Sequence, residues 1–136
     1  MTDTQTKQLK LNNQQFELAR HGDTESLRSQ LAQGLSADAC DEFGTNLLML
    51  ACASGHYQTS QLLLESGAEV NATSSEGKTP LMFAAMFNRK DVVDLLLENG
   101  ADAYAKSSDG LTALGLARTM GAEAAARRLA QHVELF

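Results

Sequence analysis

The sequence predicts an all-α fold, a solenoid of helix-turn-helix units with short β-turn fingers, and three ladders of residues carry that expectation. Gly34, Gly67 and Gly100 stand 33 residues apart. Gly44, Gly77 and Gly110 repeat the spacing, and Gly22, Gly55, Asn88 and Gly121 repeat it again. A fixed period of this kind marks a tandem array of one supersecondary unit, in which each unit buries its apolar face only against its neighbours. Such an array acts through the surface it offers.

The copy from Ser74 to Lys106 shows the elements in order. Thr79-Pro80 starts a first helix: the hydroxyl at the N-cap accepts a backbone N–H, and proline follows where its missing donor costs nothing. Asn13, Asn46 and Thr112 hold the same slot in the other units. After roughly two turns the chain reaches the ladder of Gly22, Gly55, Asn88 and Gly121, which predicts a tight left-handed turn, with Asn the next most tolerant residue after Gly. A second helix follows through Leu62-Leu63-Leu64 or Leu95-Leu96-Leu97 and stops at Ser66-Gly67 or Asn99-Gly100. The stretch from Ala68 through Ser75-Glu76-Gly77 then reads as an extended turn that projects sideways before the next helix.

Helix, turn, helix, glycine and finger in this order resemble the ankyrin repeat. The resemblance rests on Gly77-Lys78-Thr79-Pro80-Leu81, the leucine triplets, and Gly100-Ala101-Asp102 with Gly67-Ala68-Glu69. It divides the chain into a flexible tail, residues 1–7, and a repeat domain, residues 8–136, with units at about 8–40, 41–73, 74–106 and 107–136. The chain departs from the family pattern where Asn46-Leu47-Leu48-Met49 and Thr112-Ala113-Leu114-Gly115 lack its proline and histidine, and where Met82 takes the histidine slot. Leu11 replaces the finger glycine of the first unit and Val133 the post-helix glycine of the last, so these two units are read as caps.

Composition bounds the rest. One domain is expected from 136 residues, no apolar run approaches the ~18 residues of a membrane span, and the first seven residues lack a signal pattern. A cytoplasmic monomer is the expectation, with Cys40 and Cys52 as free thiols. Seventeen acidic against 11 basic residues, a net charge of −6, argues against nucleic acid, whose binding depends on cations at phosphate. Arg127-Arg128 reads as a pair of cations near the end of the final helix, favoured by its dipole.

The apolar residues are mostly absorbed by a layered core. Leu18, Leu27 and Leu31, then Leu48, Ala51, Leu63 and Leu64, then Leu81, Ala84, Val93, Leu96 and Leu97, then Leu114, Ala117 and Leu129 take equivalent positions. Each fully buried leucine stabilises by ~1.5–3 kcal/mol. No catalytic residue is assigned: His21, His56 and His132 lack the i, i+4 spacing of a helical metal site, neither cysteine belongs to a Cys-x-x-Cys element, and no phosphate loop exists. Neither cofactor nor metal is therefore expected. His56 after Gly55 matches the family's Gly-His pair, for which the resemblance implies a role in holding the turn.

In ankyrin-like stacks, finger tips and first helices line a concave face, and the resemblance implies that protein partners dock there. Here that face takes Glu42, Phe43 and Thr45 with Ala53 and Ser54; Ser75, Glu76 and Lys78 with Met86 and Phe87; and Ser108, Asp109 and Leu111 with Thr119 and Met120, while Arg20 and His21 come from the first unit. Phe43, Met86, Phe87 and Met120 are large and apolar where a solvated surface favours polar side chains, which marks an interaction patch. Glu42, Glu76 and Asp109 rim it with negative charge. The function expected is a non-enzymatic module that holds an apolar segment of another protein, with basic flanks. Two alternatives stand beside it. Some small bacterial ankyrin-like proteins are thought to assist haem enzymes such as catalase, with Met49, His56, Met82 and Met86 as the candidate ligands here. The other is an inhibitor or regulatory subunit of an enzyme.

Overall fold

A computed structural model describes residues 13–134. The described chain is helical: α1 (13–21), α2 (Thr24–Ala32), α3 (Leu47–Ala53), α4 (Tyr57–Glu65), α5 (Pro80–Met86), α6 (Lys90–Glu98), α7 (Ala113–Thr119) and α8 (Glu123–Glu134). The expected tail, residues 1–7, and the start of the first unit through residue 12 lie outside the described residues. Helices of seven to twelve residues are too short to persist alone, so packing holds them. Short helices α3, α5 and α7 stack in one row, and α2, α4, α6 and α8 stack in a second. Each pair, α3 with α4, α5 with α6 and α7 with α8, bridges the two rows.

Helix starts follow the local chemistry read from the sequence. Asn46 Oδ1 accepts from Met49 N at 2.8 Å, Thr79 Oγ1 from Met82 N at 3.3 Å and Thr112 Oγ1 from Gly115 N at 3.2 Å. In two of these caps a thioether completes the exchange: Met49 Sδ accepts from Asn46 N and Met82 Sδ from Thr79 N, each at 3.5 Å. Methionine thus does in the family's histidine slot part of what a capping glutamate does elsewhere. Asn13 departs from the expectation, since it is already helical in α1.

Second helices end as glycine at the following position predicts. The amides of Leu35, Ala68 and Ala101 return to the carbonyls of Gln30, Leu63 and Leu96 at 3.0, 3.0 and 2.9 Å, closing the last turn. The fingers are turns, not strands, apart from an isolated bridge between Cys40 and Asn46. They are tied to one another by Ser75 N donating to Phe43 O at 2.8 Å and Ser108 N to Glu76 O at 2.9 Å. Gly77 makes such stacking feasible: its φ is 73°, and a Cβ there would stand 3.0 Å from Ser108 N.

The core runs through every unit. Leu27, Leu48, Ala51, Leu63, Leu81, Ala84, Val93, Leu96, Ala117 and Leu129 are sealed as expected. Leu18, Leu31, Leu64, Leu97 and Leu114 are only half-buried along its margin. Successive helical residues rotate by about 100°, so three consecutive leucines cannot all face inward, and Leu64 and Leu97 are the ones turned out. A second correction concerns Arg127-Arg128. The pair sits near the middle of α8, and Arg128 Nε donates to Asp94 Oδ1 of α6 instead of facing the helix end.

Candidate protein-binding face

The row of α3, α5 and α7 offers a face whose two edges differ. At the N-terminal ends of these helices stand the fingers; at their C-terminal ends stand the turns at Ser54, Phe87 and Met120, which are the C-caps. Seven helical residues separate the edges by roughly 10 Å.

Phe43 is at the finger edge. Its N–H donates to Asp41 Oδ1 at 2.8 Å and its carbonyl accepts from the next finger, which fixes the backbone and leaves the ring 60% exposed. Asp41 Oδ1 also accepts from Thr45 N at 2.9 Å, so one carboxylate shapes the whole turn. Phe87 and Met120 occupy the same slot of consecutive units at the other edge, 47% and 53% exposed. Structural demand does not account for such exposure: Ser54 fills the same slot in the unit before.

The nine residues expected to bind a partner therefore separate. Phe43, Phe87 and Met120 are exposed apolar groups, but Phe43 stands across the row from the other two. Met86 and Leu111 are half-buried and pack against the core, because the helical rotation carries Met86 inward and Leu111 closes over Gly115, with Cδ2 3.4 Å from where a Cβ would be. Neither is the free apolar side chain that the sequence suggests. Glu42, Glu76 and Asp109 are exposed at the finger tips. Lys78 is not a free cation: its side chain is 19% exposed and Nζ pairs with Glu76 at 3.3 Å, leaving Glu42 and Asp109 without that compensation.

Phe83 was missed by the sequence reading. It lies one turn before Phe87 on α5, half-buried, so the two rings share a helix side and extend the apolar surface toward the fingers. The signal was available in its slot, which carries Leu50 and Leu116 in the adjacent units. Tyr104 and Tyr57 are exposed as well; Tyr57 opens α4 in the other helical row.

Ties between units hold the face in shape. His56 Nε2 lies 2.9 Å from Arg20 O, packed where a Cβ on Gly22 would strike its ring at 2.5 Å, and Arg89 Nε donates to Ala53 O at 3.0 Å. Asp38 Oδ1 accepts from Glu69 N at 2.8 Å and Asn71 Oδ1 from Asp102 N at 2.9 Å, one slot repeated. The nearby Arg20 is spent on Glu17, which also lies 3.2 Å from His21 Nε2.

The groups that could hold a ligand are dispersed. Met49 and Met82 are sealed, 0% and 1% exposed, with their sulfurs on cap amides, and His56 faces a carbonyl. Among the described residues no three His, Cys, Asp or Glu side chains gather to hold a metal ion. Cys40 is an exposed free thiol, and Cys52 is a buried one whose pKa is pushed up to about 12 by desolvation, with Sγ 3.6 Å from Ser60 Oγ. No described helix is long and apolar enough to cross a membrane.

Residues 16–107 match the family model described as ankyrin repeats (3 copies). The match ends before α7 and α8, although these pack on α5 and α6 as the preceding pairs pack on one another. Comparison with curated proteins gives no match.

Proposed function

The chain belongs to the ankyrin-repeat family, whose members are generally protein–protein interaction modules, and from that premise we propose that it is a non-enzymatic, monomeric binding module of the cell interior. Its four helix pairs, the outer two acting as caps, present the fingers and first helices as a concave docking face. The occupant is an apolar segment of another protein with basic flanks. The observation that carries this reading is the exposure of Phe87 and Met120 at one slot of consecutive units, with half-buried Phe83 one turn before Phe87. Aromatic and thioether side chains are favoured anchors at interfaces. Glu42 and Asp109 at the finger edge, which form no ion pair among the described residues, select the basic flanks in a chain of net charge −6. A partner that is itself an enzyme would make the module an inhibitor or regulatory subunit without altering the docking chemistry.

The test is capture of partners from host lysate with wild type and with the Phe43→Ala, Phe87→Ala double variant, followed by calorimetry on the purified pair. Binding weakens by ~2 kcal/mol or more in the variant, the range of interface hot spots, while its urea midpoint stays close to wild type. A double variant that binds as tightly as wild type removes these rings from the interface. One that unfolds early makes them part of the packing instead.

A further inference from the structure

Away from the fingers, between α6 and α8, lies a cleft of about 110 Å³ lined by Lys90, Ala124, Arg127, Arg128 and Gln131. Three of the chain's 11 lysines and arginines converge on this opening, in a protein of net charge −6. Among the described residues one carboxylate pairs with two of them: Asp94 accepts from Lys90 Nζ through Oδ2 at 3.4 Å and from Arg128 Nε through Oδ1. Arg127 is exposed and pairs with no carboxylate among the described residues; Glu123, one turn before it, makes no ion pair with it. Only the Nε of Arg128 is engaged with Asp94, so its terminal nitrogens remain available.

Asp94 pairs with Lys90 and Arg128, while Arg127 has no ion-pair partner among the described residues, so the opening is locally cationic. Like charges around one opening repel one another, and a bound anion relieves that repulsion. The cleft is well below the ~300–1,000 Å³ of pockets that enclose whole small molecules, so it suits one compact anionic group. A phosphate monoester carries about −1.5 to −2 charges, and its oxygens suit two guanidinium forks and an ammonium group. Lys90 opens α6 and Ala124 lies in the first turn of α8, so the positive ends of both helices add to the field.

We propose that this cleft binds a phosphoryl group, with Arg127 and Arg128 gripping its oxygens, Lys90 supplying a third contact, and Asp94 competing with it for Lys90 and Arg128. The site is independent of the docking face and does not require it.

Titration of ¹⁵N-labelled protein with inorganic phosphate, at ionic strength held constant with chloride, tests the assignment. Saturable shifts are expected at the amides of Lys90 and Ala124 to Arg128. Arg127→Gln, at an exposed and unpaired side chain, weakens binding at least tenfold. Asp94→Asn tightens it several-fold, a gain that a damaged fold cannot imitate. Shifts reproduced by chloride alone, shifts that persist in Arg127→Gln, or weaker binding in Asp94→Asn would overturn the proposal. A phosphoserine peptide separates the sources. Affinity at least tenfold above that of inorganic phosphate places the group on a partner chain, whereas equal affinity identifies free phosphate; both uphold the site.

Discussion

Asn88 is exposed, yet replacing it with alanine should cost well more than an ordinary surface substitution. It is the one member of its ladder that is not glycine, and its φ is 60°. Its Oδ1 accepts from Ala125 N at 3.0 Å, capping α8 from the preceding unit, where Ala122 before the helix has no side-chain acceptor. Asn88→Ala loses the cap, about 1 kcal/mol, and the local hydrogen bonding by which Asn tolerates a left-handed backbone better than Ala, a fraction of the roughly 1–2 kcal/mol Cβ cost that both residues carry, together ~1–2 kcal/mol. Asn88→Gly loses the cap but accepts the backbone without strain, for a net loss of ~1 kcal/mol or less. Asn88→Asp keeps the acceptor and adds charge at a helix N-terminus, which contributes about 0.3–1 kcal/mol in the favourable direction. Urea unfolding followed by far-ultraviolet circular dichroism should order the midpoints Asp at or above wild type, then Gly, then Ala, at equal m-values. Equal losses for Ala and Gly would remove backbone strain from the argument. An alanine variant as stable as wild type would show the cap bond to be idle.

Two further predictions follow from titratable groups. Hydrogen bonds from the side chain and then the backbone of Ser26 lower the pKa of Asp23 below its ordinary 3.8, so its stabilisation is present above that value and is lost as pH falls through the lower folded-state pKa. The urea-midpoint advantage of wild type over Asp23→Ala should therefore be full at neutral pH and shrink below about pH 4; an advantage that persists unchanged into stronger acid would refute it. At Cys52, a thiol reagent at mildly alkaline pH should label Cys40 at once and Cys52 only when denaturant is added, because Cys52 is sealed and its thiol stays protonated up to about 12. Prompt labelling of both in the native protein would contradict that burial.

Legibility in the sequence followed the range of each interaction. Asn46, Thr79 and Thr112 were readable as caps because each bonds an amide three residues along its own chain. The left-handed turns were readable because only a few residue types tolerate them. Phe87 and Met120 were readable as exposed from their slots, but Met86 was not separable from its neighbour, since one helical step decides whether a side chain faces the core. The slot of Phe83 shows an apolar residue in each unit, but how much of the ring is exposed depends on what the adjacent units place beside it. The pairing of Arg128 with Asp94 crosses 34 residues, and helix period alone suggested a dipole contact instead.

The sequence by itself determined the period, the order of helix, turn, helix and finger, the caps at Asn46, Thr79 and Thr112, and the central leucines Leu27, Leu48, Leu63, Leu81, Leu96 and Leu129, because these rest on backbone preferences and on residues close along the chain. Only the tertiary structure decided which ties join one unit to the next: Asp38 to Glu69, Asn71 to Asp102, Arg89 to Ala53, Asn88 to Ala125. It also decided that Phe43 stands at one edge of the first-helix row with Phe87 and Met120 at the other, and that cations distant in sequence gather at one cleft. Stacking brings residues about one period apart within hydrogen-bond reach, and the distance and direction of that approach are set by packing between helices, which no local pattern encodes.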